Sequence, residues 1–203
     1  MVAGPNGSGK TTLTNQLRLS DVDFGRYINP DDIAKSLQGD YESRVREAQR
    51  IADQQRADCI NEGMSFSFET VMSHPSKVDL LKVAKTRGFR VALYFVATES
   101  PDLNVRRVRQ RVALGGHDVP EERIRERYDR TLQLLPDAMA CADQVVLFDN
   151  SYGRPAIIRP FFRTMGLDFW REEDPIPDWA RPALQTWHTQ RARRLDERSN
   201  GEN

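Results

Sequence analysis

Residues 4–13 read GPNGSGKTTL, with MVA before them and an apolar-spaced segment from Leu13 to Leu19 behind. Gly4, Pro5, Asn6, Gly7, Ser8, Gly9, Lys10 and Thr11 fit G-x-x-x-x-G-K-[ST] throughout. About one random chain in a hundred of this length would match on composition, so the flanks decide. Here they spell an apolar strand stub, a loop and an amphipathic helix, the setting in which glycines let several backbone N–H groups converge on one anion. The helix start adds its positive end. Lys10 is then placed for the β- and γ-phosphates of a nucleotide, Thr11 offers a hydroxyl to Mg²⁺, and Thr12 completes the nucleotide-binding run. Only three residues precede the loop, short for a strand; a native chain that begins upstream is the favoured explanation.

Outward from the loop, strands and helices alternate. RYIN (26–29) reads as a second strand, and PDDIAKSL (30–37) opens a helix with Pro30 and two carboxylates in its first turn. Residues 43–62 carry Val45, Ala48, Ala52 and Cys59 at helical spacing, and Gly63 stops them. MSFSFET (64–70) alternates as a strand, HPSKVDLLKVAKTRG (74–88) is a helix, and FRVALYFVAT (89–98) is a buried central strand. Two helices surround GGHDVP (115–120), and DQVVLFDNS (143–151) gives a fifth strand. The expected fold class is α/β: a P-loop NTPase, kinase-like, doubly wound parallel sheet of about five strands, with helices on both faces and a helical lid. Residues 1–151 form the expected kinase domain. Residues 152–203 read as a peripheral C-terminal extension, anchored by Trp170 and Trp179, with a disordered end.

Composition narrows the function. Lys+Arg and Asp+Glu are both 30 in 203 residues, so formal net charge is zero, which speaks against a dedicated nucleic-acid binder. The longest apolar run, Val91 to Ala97, is far short of the ~20 residues that span a bilayer. Cys59 and Cys141 stand apart, with neither CxxC nor zinc spacing. A cytoplasmic protein without membrane attachment is expected. The sequence contains no N/T-K-x-D guanine signature and no apolar run ending in Asp-Glu; Asp149 ends a run, but at the last strand. A phosphotransferase remains.

Asp31 and Asp32 fall just past the end of the second strand, where open α/β sheets bind ligands. A carboxylate there can take the proton of an attacking hydroxyl. Asp31 is the candidate general base, with helix capping as its alternative role; Asp32 is assigned to capping or support. Glu69 ends the third strand and could hold acceptor hydroxyls or orient Mg²⁺-bound water. In RVALGGHDVPEERIRERY (111–128), Gly115 and Gly116 allow a mobile corner between two helices. Arginines brought in by closure would stabilise the charge that phosphoryl transfer spreads over equatorial oxygens. Arg111, Arg123 and Arg127 are the lid candidates. His117 could donate to a phosphate or cap the corner. Arg106, Arg107, Arg125 and Arg130 read as solvated, with Glu126–Arg130 an i,i+4 pair.

In that order, GPNGSGKTT, INPDDIA, SFSFETVMSH, LYFVAT, GGHDVPEERIRERY and LFDNS resemble the zeta-toxin family of P-loop kinases, over roughly residues 1–151. The resemblance implies ATP and Mg²⁺ as cofactors and a sugar hydroxyl of UDP-N-acetylglucosamine or a related UDP-sugar as acceptor. It also implies a toxin held inactive by an antitoxin protein. It assigns the base to Asp31, acceptor binding to Glu69, phosphate binding to Lys10 and a lid arginine to Arg111. The second lid arginine of the larger toxins falls at His117, and their EGT reads ETV here. Shorter, solitary relatives share G-G-H-x-V-P, and this chain resembles those. A metabolite or nucleoside kinase without a toxin role stays open beside this reading, as does a nucleotide-binding switch or polynucleotide-end kinase using the C-terminal arginines.

Overall fold

The computed structural model describes the chain apart from Asp21, His117, residues 153–157, Leu167, Glu173 and residues 202–203; for residues 169–172 and 198–201 it describes the backbone alone. In chain order the elements are β1 (Val2–Ala3), α1 (Lys10–Arg18), β2 (Arg26–Ile28), α2 (Pro30–Ser36), α3 (Tyr41–Glu62), β3 (Phe66–Thr70) and α4 (Ser76–Thr86). They continue with β4 (Ala92–Ala97), α5 (Pro101–Ala113), α6 (Glu121–Cys141), β5 (Gln144–Asp149), β6 (Pro160–Met165), β7 (Asp168–Glu172) and α7 (Arg181–Gly201).

The sheet runs β2-β3-β1-β4-β5-β6-β7. Its first five strands are parallel, with β1 at the centre and Val2 paired to Glu69 on one side and Tyr94 on the other. The near-continuous apolar run of β4 follows from burial on both faces. Leu93, Phe95 and Ala97 enter one core with α4, α6 and α7, while Val96 enters another with Leu13 and Leu17 of α1. Ile28, Phe68, Ala52 and Cys59 form a third cluster, beneath α3. Both cysteines are free thiols. Among the described residues no helix is long and apolar enough to cross a membrane.

The C-terminal segment corrects the expectation of a peripheral extension. β6 adds antiparallel to β5, and β7 to β6, so the sheet has seven strands where about five were expected. Phe161, Phe162, Trp179, Ala180, Leu184 and Trp187 are buried in the largest core cluster. Trp179 lies 5.8 Å from the Phe95 ring and donates from Nε1 to Asp149 at 2.9 Å. β5 has an open edge and a bare apolar face once the parallel strands are laid down, and these residues cover both. The expected disordered end is helical through Gly201. Its Ala, Arg, Leu and Glu favour helix, and its first turns are anchored in the core. The Trp170 side chain lies outside those described.

The Phe162 side chain is fully buried against Trp187. Phe162→Ala should cost about 3–5 kcal/mol of stability, read as a shift in the urea midpoint of a single cooperative transition. A loss below about 1 kcal/mol would return the C-terminal segment to a peripheral role.

Candidate active site

The loop between β1 and α1 is pressed against the ends of β4 and β5. At Gly4 (φ +149°) an added Cβ would lie 2.0 Å from the Val96 carbonyl oxygen, and at Gly9 (φ +99°) 2.5 Å from the Asn150 amide nitrogen. Only glycine fits there, and the Asn150 amide donates to Ser8 O at 2.8 Å to hold the loop from behind. The first turn of α1 leaves the N–H groups of Lys10, Thr11 and Thr12 without intrahelical acceptors. Lys10 folds back and donates from Nζ to Gly4 O and Pro5 O, both at 2.9 Å. Burial pushes its ammonium down to about 8; Glu69 and Asp31 oppose that shift, and Arg111 and Arg127 reinforce it. The Ser8 hydroxyl is buried with no hydrogen-bond partner among the described residues. A desolvated cation, an idle hydroxyl and a curled run of N–H groups together suit a polyphosphate.

The loop opens into a cleft of about 1240 Å³ lined by Asn6, Lys10, Asp31, Glu69, Arg111 and Arg127 among others. That exceeds the ~300–1,000 Å³ of a pocket for one small ligand. Asn29 decides what Asp31 is free to do. Its side chain accepts from Asp31 N at 3.0 Å and thus caps α2, and it donates to Asp32 Oδ2 at 3.1 Å. Asp32 also accepts from Lys35 at 2.7 Å. Capping belongs to Asn29 and support to Asp32. No hydrogen-bond donor among the described residues holds the Asp31 carboxylate, which faces the cleft.

Glu69 is held from two sides: Thr11 Oγ1 donates to its Oε2 at 3.2 Å and Tyr27 OH to its Oε1 at 3.0 Å. Burial, and then the neighbouring Glu69 charge, pushes the Tyr27 phenol well above its ordinary range, which keeps it a donor. The Arg18 guanidinium lies 4.2 Å over the Tyr27 ring. Sequence reading missed Tyr27, because its link to Glu69 exists only through the pairing of Tyr27 with Ser67, two residues before Glu69 on the same strand face.

The stretch expected to form a lid is the α5–α6 pair. Tyr128 OH donates to Thr98 O at 2.6 Å and Thr131 Oγ1 to Val71 O at 2.8 Å, tying α6 to the ends of β4 and β3. Ile124 and Tyr128 turn inward, and this rotation brings Arg127 to the cleft. Burial and the charges of Arg123 and Arg130 lower the Arg127 guanidinium from its ordinary value. Arg123, expected among the lid residues, is exposed and does not line the cleft. Conversely Arg107, read as solvated, lines it. Arg125 pairs with Asp102 and Glu121, both at 2.7 Å, and Arg130 with Glu126 at 2.5 Å, as surface helices do. Arg106 is exposed. His117 lies outside the described residues. Asp149 accepts from Ser151 Oγ at 2.6 Å as well as from Trp179, which makes it a brace for the C-terminal segment.

Comparison with known proteins places these features in a family context. The family described as Zeta toxin matches residues 1–152. A protein of Haemophilus influenzae is 28% identical over 135 residues, covering 62% of this chain and 88% of that protein. A structure from the PezAT chromosomal toxin-antitoxin system of Streptococcus pneumoniae superposes with a TM-score of 0.55 at 13% identity, covering 93% of this chain and 85% of that one. The AvrRxo1-ORF1:-ORF2 structure with ATP superposes with a TM-score of 0.61 at 17% identity, covering 84% of this chain and 59% of that one. At those identities the two structural likenesses are of fold.

The lowered Lys10 ammonium gives polyphosphate binding a pH signature. A bound anion raises the lysine again, so binding takes up a proton wherever free Lys10 is neutral. Affinity for a nucleoside triphosphate should be flat just below pH 8 and fall up to about tenfold per pH unit above it, until the pKa of the complex is reached. Calorimetry at pH 9 in buffers of different ionisation enthalpy should read an uptake approaching one proton; no uptake would mean that Lys10 does not meet the phosphates.

Proposed function

This chain belongs to the zeta-toxin family, and on that premise we propose that it is an ATP-dependent kinase acting on a hydroxyl of a small acceptor, with UDP-sugars the first candidates. The coarser statement, a P-loop phosphotransferase, already follows from family and fold. What carries the finer one is a single cleft that holds Lys10, the unengaged Asp31 carboxylate, Glu69, Arg111 and Arg127.

In this reading the first-turn N–H groups of α1 and the Lys10 ammonium hold the β- and γ-phosphates, Lys10 leaving the carbonyls of Gly4 and Pro5 to do so. Pro5, Asn6, Gly7 and Ser8 supply the curl of the loop. Among the described residues no cluster of three His, Cys, Asp or Glu could ligate a metal unaided; Mg²⁺ would therefore be held by the Thr11 hydroxyl with phosphate and water oxygens. When bound, Mg²⁺ neutralises charge on the phosphates. Glu69, bonded to Thr11, stands at the seam between donor and acceptor and can accept from an acceptor hydroxyl. Asp31 takes the proton of the attacking hydroxyl. Arg111 and Arg127 meet charge on the equatorial oxygens as transfer proceeds.

Two further proposals come from the relatives. The AvrRxo1 structure contains ATP, which supports ATP as donor here. The PezAT structure belongs to a toxin-antitoxin system, which supports an antitoxin partner for this chain.

Transfer from γ-labelled ATP with Mg²⁺ to a panel of UDP-sugars, nucleosides and free sugars tests this reading. Label should appear on an acceptor with the wild type, and Asp31→Asn should lower turnover by roughly 10²–10⁴ with ATP affinity unchanged, the usual worth of a general base. Full turnover in that variant would move the base to another group. Replacing Arg111 by Ala should lower kcat more than ATP affinity; the reverse pattern would make it a nucleotide-binding group only.

A further inference from the structure

Tyr27 has no part in the reaction above and does not line the cleft, yet its hydroxyl reaches a side chain that does. The pairing of Tyr27 with Ser67 puts the phenol on the face of β3 that carries Glu69. There it donates to Glu69 Oε1 at 3.0 Å. The ring is held by the Arg18 guanidinium, 4.2 Å from its centroid, and by the Phe24 ring, 6.1 Å away in an edge-on arrangement. Burial and then the Glu69 charge raise the phenol, so its proton stays in place for this one bond.

What this bond prevents is visible at Lys10. Burial lowers the ammonium, and of the charges around it Glu69 offsets that the most. Glu69 also accepts from Thr11, the next residue along, at 3.2 Å. Two half-buried groups of opposite charge this near each other should form an ion pair, since a charge-assisted hydrogen bond is about twice as strong as a neutral one. None forms among the described residues. Lys10 donates instead to the neutral carbonyls of Gly4 and Pro5, both at 2.9 Å. Each Glu69 oxygen is already taken, Oε2 by Thr11 and Oε1 by Tyr27. Of these two donors Thr11 has a second task, at Mg²⁺, and Tyr27 has none.

We propose that Tyr27 is a positioning residue: by holding Glu69 Oε1 it keeps the carboxylate off Lys10, so that the ammonium rests on neutral carbonyls and can pass to a phosphate. The inference rests on the phosphotransferase reading and names the group that keeps its phosphate-binding lysine available. Without the phenolic hydroxyl, Oε1 loses its donor and turns to Lys10. The ammonium must then break an ion pair before it can bind an anion. Nucleotide affinity falls although no group that touches the nucleotide has been changed.

A double-variant cycle separates this role from a merely structural one. Wild type, Tyr27→Phe, Glu69→Gln and Tyr27→Phe/Glu69→Gln are titrated calorimetrically with AMP-PNP in EDTA, which leaves Thr11 no metal to serve. The series is run with Mg²⁺ if the wild type does not bind without it. Tyr27→Phe keeps the ring beneath Arg18 and should weaken binding about tenfold, as for one hydrogen bond to a charged group. Glu69→Gln removes the charge that would capture Lys10, so in that background Tyr27→Phe should change nothing. A loosened strand would weaken binding in both backgrounds, and equal losses in the two overturn the proposal. So does a Tyr27→Phe variant that binds as the wild type does, and in both cases the P-loop reading stands. Failure of the wild type to bind AMP-PNP with or without Mg²⁺ overturns the P-loop reading itself, and this inference with it.

Discussion

The Lys10 ammonium, half-buried and tied to two carbonyls of its own loop, is the constraint the rest of the molecule accommodates. A buried cation is tolerated only where its environment supplies compensation. Gly4 and Pro5 give carbonyl oxygens, and Glu69 and Asp31 give negative potential. That requirement explains why β1 is the central strand. With β3 on one side it brings Glu69 beside the loop, and with β4 on the other it supplies the Val96 carbonyl against which Gly4 is packed. The arrangement is tense in one respect, since Arg111 and Arg127 push the same ammonium toward neutrality. In the proposed reaction an incoming polyphosphate would offset this crowding of positive charge around Lys10.

Asn29 plays the corresponding part on the acceptor side. A helix that begins Asn-Pro-Asp-Asp could use any of its polar side chains as cap, and the choice determines which carboxylate is left for chemistry. Because Asn29 satisfies the Asp31 N–H and also engages Asp32, the carboxylate of Asp31 alone stays outside the local network. The tether from Thr11 through Glu69 to Tyr27 then crosses from α1 to β2 along the floor of the cleft. These two bonds, at 3.2 and 3.0 Å, join the helix that follows the loop to the strand that precedes Asp31.

Much of this was readable in the sequence, for identifiable reasons. The five parallel strands could be located because each is bounded by turn residues and either alternates or runs apolar. That the phosphate loop, Asp31 and Glu69 meet around one cleft could be anticipated because each lies at the end of a parallel strand, where open α/β sheets collect function. The strands and helix after residue 158 were not legible. Their apolar residues, Phe161, Phe162, Trp179 and Trp187, are spaced by no single period, since two come from a strand and two from a helix and its approach. Arg107 lines the cleft and Arg123 does not, against expectation, because helix rotation is fixed by tertiary bonds such as Tyr128 to Thr98, which no local pattern carries. Tyr27 was invisible for a related reason: it acquires its meaning from Glu69, on another strand.

The C-terminal layer also bears on how the cleft can close. Leu135, Ala138 and Met139, in the second half of α6, are buried in the large core that α7 completes. The first half is held differently: Ile124 meets Val105 and Val108 of α5 in a small separate cluster, edged by Val112 and Val119. Free energies of local opening follow the apolar burial that must be undone, so the two halves of one helix differ widely in the cost of moving. Arg127 lies between them, just before the anchors Tyr128 and Thr131, while Arg111 belongs wholly to the lightly held end. Closure over a nucleotide would therefore carry Arg111 a greater distance than Arg127.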